Sequence, residues 1–393
     1  MNSLRLPALA LLIPFAGFAE SPKLRGVAAA IQRQIDAQEI TGAVTVVVSK
    51  DKILDLETIG LADVATGRAM TDDTLFQIMS MTKPVTATAI LMLQDAGKLS
   101  VTDPVAKFIP EFAALKTPSG QPANLTIAQL MTHTSGLGEG EGAALKEAHT
   151  LADLVPIFLA APMKFEPGSK WSYCQSGINT AARVVEIASG QTFADFITAH
   201  IFRPLNVKDA THTPTAAQLA RVATPYAKNK ETGALEPAHV APPPAPGERP
   251  TTGNAGLYLT GPGYARFCQM LLNGGTLEGH RYLSPAAMRF LTTVQTGDLP
   301  TGFFQTDAYG QRGANYGWGI GTCILKTPHD GPAAMLSPGT YGHGGAWGTQ
   351  AWIDPVKGAA YVLMVQRTNF ANSDATDVRR DFQQAAADAL ARR

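Results

Sequence analysis

Residues 76–90 read FQIMSMTKPVTATAI, and the reading of the whole chain turns on them. A short apolar run ends at Ile78, and an apolar-rich segment from Met79 to Ala96 predicts an amphipathic helix. Gly97 suits the C′ position, and Pro104 lies beyond it. Ser80 and Lys83 stand three residues apart at the start of this helix, so they share one face. Pro84 is tolerated there because the first-turn amides have no helical partner. A serine at a helix N-terminus feels the positive end of the dipole, which favours developing negative charge. A neighbouring lysine can serve as its base or hold charge beside a second base. An ordinary helix start with a lysine reaching solvent fits this segment equally well. Ser-x-x-Lys also occurs at Ser49-Lys50-Asp51-Lys52, where a strand ends in a charged turn, and that copy reads as surface.

Upstream of this stretch, Gly42–Ser49 reads as a buried strand, Lys50–Lys52 as a turn and Ile53–Ile59 as a returning strand. Residues 22–38 carry apolar residues at helical spacing. Downstream, residues 100 to 290 are short helical segments broken by Pro and Gly, with a Pro-rich loop over Glu236–Pro250. Strand candidates return at Tyr341–Pro355 and Gly358–Arg367. A closing helix over Asp374–Arg392 places Val378, Phe382, Ala385 and Ala389 on one face. The ends are rich in strands and the middle in helices. The expectation is therefore an α/β (α+β) fold: an antiparallel sheet uniting both ends, flanked by the terminal helices, with an inserted, mostly helical lobe. The expected units are 20–85 with 310–393 for the sheet and 86–309 for the lobe, with a cleft between them for a site.

Residues 1–19, MNSLRLPALALLIPFAGFA, precede all of this. Arg5, an apolar run from Ala8 to Phe15, and small residues at Gly17 and Ala19 before Glu20 read as a secretory signal peptide. The run is short for a membrane span and is interrupted by Pro14. The mature chain is expected to be secreted or periplasmic, with no membrane anchor after cleavage.

Composition excludes several classes. The chain has 393 residues, 45% of them apolar and 16% charged, with 32 Lys+Arg against 32 Asp+Glu. A nucleic-acid partner calls for a basic surplus, and disorder calls for low hydrophobicity with high net charge. Three Cys cannot build a disulfide framework, and all three are expected as thiols. The eight His show no metal-binding spacing, so no metal or other cofactor is expected. Neither a phosphate-cradling P-loop nor a Gly-x-Ser-x-Gly elbow is present.

Two further segments can carry chemistry. In Lys164–Asn179, KFEPGSKWSYCQSGIN, Tyr173 and Gln175 flank Cys174 after a Pro-Gly turn and before a helix. A phenol near an ammonium can accept a proton, although Trp171 and Tyr173 also suit a core. In Tyr341–Gly348, YGHGGAWG, the glycines 344, 345 and 348 leave a strand edge without bulk, open to close approach by a substrate. An amide there can donate to an oxyanion. A plain turn or bulge is the alternative.

Taken together and in order, FQIMSMTKPVTATAI, LMTHTSGL (130–137), PGSKWSYCQSG (167–177) and GHGGAWGT (342–349) resemble the serine hydrolases of the class C β-lactamase and penicillin-binding type, most of all the family VIII carboxylesterases. The resemblance runs from about residue 25 to about 390 and implies a β-lactamase/transpeptidase-like fold. It implies Ser80 as the acylated nucleophile, Lys83 as its partner and Tyr173 as a base; which of the last two takes the proton stays open. It implies an oxyanion hole of the Ser80 and Ala346 amides, and substrate contacts from Gln175, His343, Gly344 and Gly345. His133 matches a landmark read as structural, and Cys174 reads as a small buried filler.

Two departures bear on substrate. The family's Tyr-x-Asn is here Tyr173-Cys174-Gln175, one methylene longer, so the amide's contact to substrate or to Lys83 must be re-aimed. The family's Lys-Thr-Gly is here His343-Gly344-Gly345, and a neutral imidazole is a poor partner for a β-lactam carboxylate. The expected activity is hydrolysis of short-chain carboxylic esters. A β-lactamase or D-amino-acid peptidase acting on β-lactams or cell-wall peptides is the alternative, and a silent penicillin-binding-like receptor is a third. The partner expected in every case is a small ester or β-lactam-like molecule.

Overall fold

A computed structural model describes residues 23–302, 315–328 and 331–392. The expected signal peptide lies outside these residues. The organising element is β1, Gly42–Val48 (GAVTVVV), buried along its whole length. β-Branched residues suit a strand, and full burial requires cover on both faces. β1 pairs antiparallel with β2 (Ile53–Asp63), with a bulge between Val47 and Val48. β2 pairs in turn with β3, Arg68–Ala69. The C-terminal part supplies β4 (Tyr316–Trp318), β5 (Cys323–Leu325), β6 (Tyr341–Gly344), β7 (Gln350–Asp354) and β8 (Ala359–Met364). β8 pairs antiparallel with β1, Val46 opposite Val362, and this joins the two chain ends. The eight-stranded sheet runs β4-β5-β6-β7-β8-β1-β2-β3.

Helix α1, Val27–Asp36, and the closing helix α5, Asp377–Ala391, cover one face. Val27, Ile31, Val378, Phe382 and Ala386 pack there with Val47, Tyr361 and Leu363. Truncating a residue such as Phe382 to Ala costs about 3–5 kcal/mol. The other face packs on α4, Gly261–Leu272. This helix comes from the middle of the chain yet lies on the sheet. Gly261 permits it, since a Cβ there would stand 2.9 Å from Val44 Cγ1.

The segment from Met79 to Ala96 differs from the expectation in two ways. It splits into a 3₁₀ turn, Met79–Met81, and α2, Thr82–Asp95, with Gly97 beyond in the left-handed region. It is also not amphipathic, because every side chain from Thr82 to Leu91 is buried. Its polar residues find partners: Thr86 Oγ donates to Gly253 O at 2.7 Å and Thr88 Oγ to Pro84 O at 2.9 Å. α2 packs against α3, Gln175–Ser189, in the helical part. The single strand expected over 341–355 is two, β6 and β7, because the chain turns at Gly348 with φ +88°. The Pro-rich loop starts slightly later than expected, since Leu235–Pro237 pairs with Tyr226–Lys228.

Candidate active site

The Ser80 turn is built by strain and clamps. The short strand Leu75–Gln77 ends at Ile78, whose N–H donates to Leu257 O at 2.9 Å. Met79 then takes φ +48°, a left-handed conformation that a methionine adopts only when its surroundings enforce it. Thr82 Oγ donates to Met79 O at 2.7 Å and Tyr264 Oη to Met81 O at 2.9 Å, which fixes the turn. Ser80 is left half-buried, two residues ahead of α2. One helical turn on, Lys83 has no exposed surface, and its Nζ stands 2.9 Å from Ser80 Oγ. Nζ also donates to Asn254 O at 2.9 Å. Burial pushes the Lys83 amine well below its ordinary pKa, and the Glu139 carboxylate pulls part of the way back.

Tyr173 completes the group. Lys83 Nζ lies 4.6 Å from its ring centroid. The residue as a whole is half-buried, while its hydroxyl is sealed from solvent. Burial pushes the phenol well above its ordinary pKa, and the Ser80 hydroxyl works the other way. His133, Trp171, Trp318 and His343 surround the ring at centroid distances of 4.4, 6.3, 6.3 and 6.1 Å.

Gln175 does not touch Lys83. Its Oε1 accepts from Asn254 Nδ2 at 2.9 Å, and Asn254's carbonyl is what holds Lys83. The longer side chain is thus re-aimed through an intermediary that the sequence did not reveal. Asn254 N in turn donates to Asn179 Oδ1 at 3.2 Å. Glu139 is a second residue that went unseen. Its carboxylate takes the N–H groups of Gln175 and Ser176, at 2.6 and 2.9 Å, and so caps α3. The only sequence signal for it is an acid just past the Ser135-Gly136-Leu137 stretch. Cys174 is buried as expected but is more than a filler. Its Sγ accepts from Gly177 N at 3.3 Å as the N-cap of α3 and lies 3.1 Å from Ser176 Oγ. Burial raises its thiol pKa, so it is no nucleophile. No disulfide joins the three cysteines.

His343 is buried, with Nδ1 2.6 Å from Gly344 O. Burial, reinforced by Lys83, lowers its pKa to about 4, so no cation stands at this position near neutral pH. On their Cβ side the two glycines that follow it meet protein atoms. A Cβ on Gly344 would meet Asp374 Oδ1 at 1.8 Å, and one on Gly345 would meet Ile78 O at 2.5 Å. Thr349 Oγ donates to Ile78 O at 3.1 Å, which fastens the turn carrying Ala346 to the turn carrying Ser80. Ala346 itself is exposed.

A cleft of about 600 Å³ opens here. Met79, Gln175 and Asn254 line it beside the Ser-Lys-Tyr group, Leu154 and Phe158 give it an apolar wall, and Pro244 and Pro250 come from the Pro-rich loop. Glu139 and Arg249 are the charged residues among this lining. Ser49 and Lys52 belong elsewhere: they sit in the β1–β2 turn, where Ser49 Oγ donates to Asp51 Oδ1 at 2.6 Å. Among the described residues no cluster of His, Cys, Asp and Glu is placed to hold a metal ion. What the arrangement offers is a hydroxyl, a buried amine and a buried phenol around one point.

The beta-lactamase family model matches residues 27–386. Esterase EstB of Burkholderia gladioli is 30% identical over 374 residues, covering 86% of this chain and 88% of its own. Penicillin-binding protein 4 of Amycolatopsis lactamdurans is 29% identical over 338 residues, covering 82% and 80%. Among solved structures, EstCE1, described as a hydrolase with promiscuous acyltransferase activity, superposes with a TM-score of 0.76 at 20% identity, over 92% of this chain and 98% of that one. The antiparallel sheet with its terminal helices and helical insertion is the β-lactamase/transpeptidase-like fold, and the chain belongs to the beta-lactamase family of serine hydrolases.

Proposed function

We propose that this family member hydrolyses neutral, short-chain carboxylic esters through an acyl-enzyme on Ser80, and that it does so after export. The observation that carries the reading is Lys83 Nζ, buried and 2.9 Å from Ser80 Oγ. Burial lowers the lysine's proton affinity and raises the tyrosine's, so the neutral pair is amine plus phenol. Lys83 then takes the Ser80 proton as Oγ bonds to the ester carbon. The carbonyl electron pair moves to oxygen, where the Ser80 and Ala346 amides hold the charge. Collapse breaks the bond to the alcohol. The Tyr173 phenol gives the leaving oxygen its proton and recovers one from the Lys83 ammonium. Water repeats the sequence to free the acid.

Neutral substrates are favoured by His343, which near pH 7 offers an uncharged ring where a carboxylate would need a cation. The similarity to an esterase and to a penicillin-binding protein keeps β-lactams and D-amino-acid peptides as the second substrate class. The test is the purified protein and its Ser80→Ala variant against p-nitrophenyl butyrate and nitrocefin. Ester turnover that falls at least about 10³-fold in the variant, with little nitrocefin hydrolysis, is the expected result. A higher kcat/KM on nitrocefin overturns the ester reading, and ester turnover that survives in Ser80→Ala overturns the nucleophile. Export rests on residues 1–19: the protein recovered outside the cytoplasm should begin at Glu20, and an intact Met1 on cytoplasmic protein refutes it.

A further inference from the structure

His133 lies in the Leu130–Leu137 stretch, forty residues before the catalytic phenol, and the reaction proposed above gives it no part. Its placement is unusual. The residue adopts φ +61°, in the left-handed region, and has no exposed surface. Its carbonyl accepts from Ser172 N at 2.9 Å. Its ring Nδ1 accepts from Cys174 N at 3.1 Å. Ser172 and Cys174 are the two neighbours of Tyr173, so one residue grips the backbone on both sides of the phenol. The ring also packs on the Tyr173 ring itself, at 4.4 Å between centroids.

From this geometry we infer that His133 is a positioning residue for Tyr173, acting through the acceptor nitrogen Nδ1 and the stacked ring face, and not a passive core residue. The tautomer follows from the partner. A backbone N–H can only donate, so Nδ1 carries the lone pair and the proton sits on Nε2. Nε2 has no hydrogen-bond partner among the described residues, and the rings of Trp171 and Trp318 stand edge-on to the imidazole at 5.8 and 5.1 Å. A phenylalanine at 133 would remove that buried donor and pack as well against three aromatic rings. It would also leave the Cys174 amide without its acceptor. An imidazole is kept where packing alone favours a hydrocarbon, and what it adds is Nδ1. Burial holds the ring neutral, with Lys83 and His343 as the charged or titratable neighbours acting in the same direction. Protonation would turn Nδ1 into a donor facing a donor.

The inference rests on Tyr173 taking part in proton transfer, and a double-mutant cycle separates the two questions. If Tyr173→Phe alone leaves kcat within threefold of wild type, the role of Tyr173 fails first and His133 has nothing to position. With Tyr173 active, His133→Phe is expected to lower kcat on p-nitrophenyl butyrate about 30-fold while KM stays within threefold. In the Tyr173→Phe background the same change is expected to cost less than threefold, because the group it positions is gone. An equal loss in both backgrounds means a general structural role and overturns the inference, as does a His133→Phe enzyme of wild-type kcat. His133→Asn guards against a variant that does not fold: asparagine tolerates positive φ and places a carbonyl oxygen near the Nδ1 position. It should keep kcat within about fivefold, and a loss as large as that of Tyr173→Phe refutes the acceptor role.

Discussion

The same four-residue pattern occurs at Ser49–Lys52 and at Ser80–Lys83, and only the second builds a site. At the first, the hydroxyl bonds to Asp51 in an exposed hairpin turn, and Lys52 is exposed. At the second, the hydroxyl faces an amine with no exposed surface, clamped by Asn254's carbonyl 171 residues further on. Spacing places two side chains on one face and does no more. Burial makes the difference: it lowers an amine's proton affinity, which favours the proton-accepting role proposed for Lys83.

The sharpest way to break this comparison is to remove both lysines in turn. Lys83→Ala is expected to lower kcat/KM on a p-nitrophenyl ester about 10³-fold, within the range for a lost general base. Lys52→Ala should leave it within twofold. Comparable losses at both positions would mean that the pattern, and not its surroundings, carries the chemistry.

How far the chain could be read follows the same division. The strands were legible because Gly42–Val48 is rich in β-branched residues and Ala359–Met364 is a short, uninterrupted apolar run. The order of Ser80, Lys83, Tyr173 and His343 was legible from short motifs. What failed was whatever depends on contacts distant in sequence. α2 looked amphipathic because Lys83, Thr86 and Thr88 are polar, yet each is satisfied internally, two of them by residues 253 and 254. That Gly344 and Gly345 leave no room for a Cβ beside Asp374 and Ile78 was likewise out of reach of the sequence. Asn254 carries no local signature, and Glu139 has only its place just past Ser135-Gly136-Leu137. Their roles exist only once α2, α3 and the end of the Pro-rich loop meet.

Glu139 supplies a smaller effect with a definite sign. Its carboxylate pulls the Lys83 pKa up against burial. Glu139→Gln removes that charge while Oε1 can still accept from the α3 N-terminus. The Lys83 pKa then falls further, the free amine persists to lower pH, and the acid limb of kcat/KM moves down. Asp51 is the matching neighbour at the other copy, and Asp51→Asn should leave the limb where it is. A limb that moves up in Glu139→Gln contradicts the sign assigned to this carboxylate.

The smallest effect concerns stability, and it reverses with pH. Lys83 has a lower pKa folded than unfolded, so between those values the unfolded chain binds the extra proton. Stability therefore rises with pH across that window and levels off near the unfolded value of about 10.4. Lys83→Met keeps the length and apolar stem and removes this slope. It also strips the Asn254 carbonyl of its donor, at a cost of about 1 kcal/mol. The first change dominates at low pH and the second at high pH. Thermal unfolding should then show Lys83→Met more stable than wild type at pH 6 and less stable at pH 10. Lys52→Met should track wild type to within about 0.5 kcal/mol at both, as surface substitutions do. A Lys83→Met protein less stable at both pH values would mean that Lys83 keeps its charge in the fold, and the contrast between the two copies would lose its physical basis.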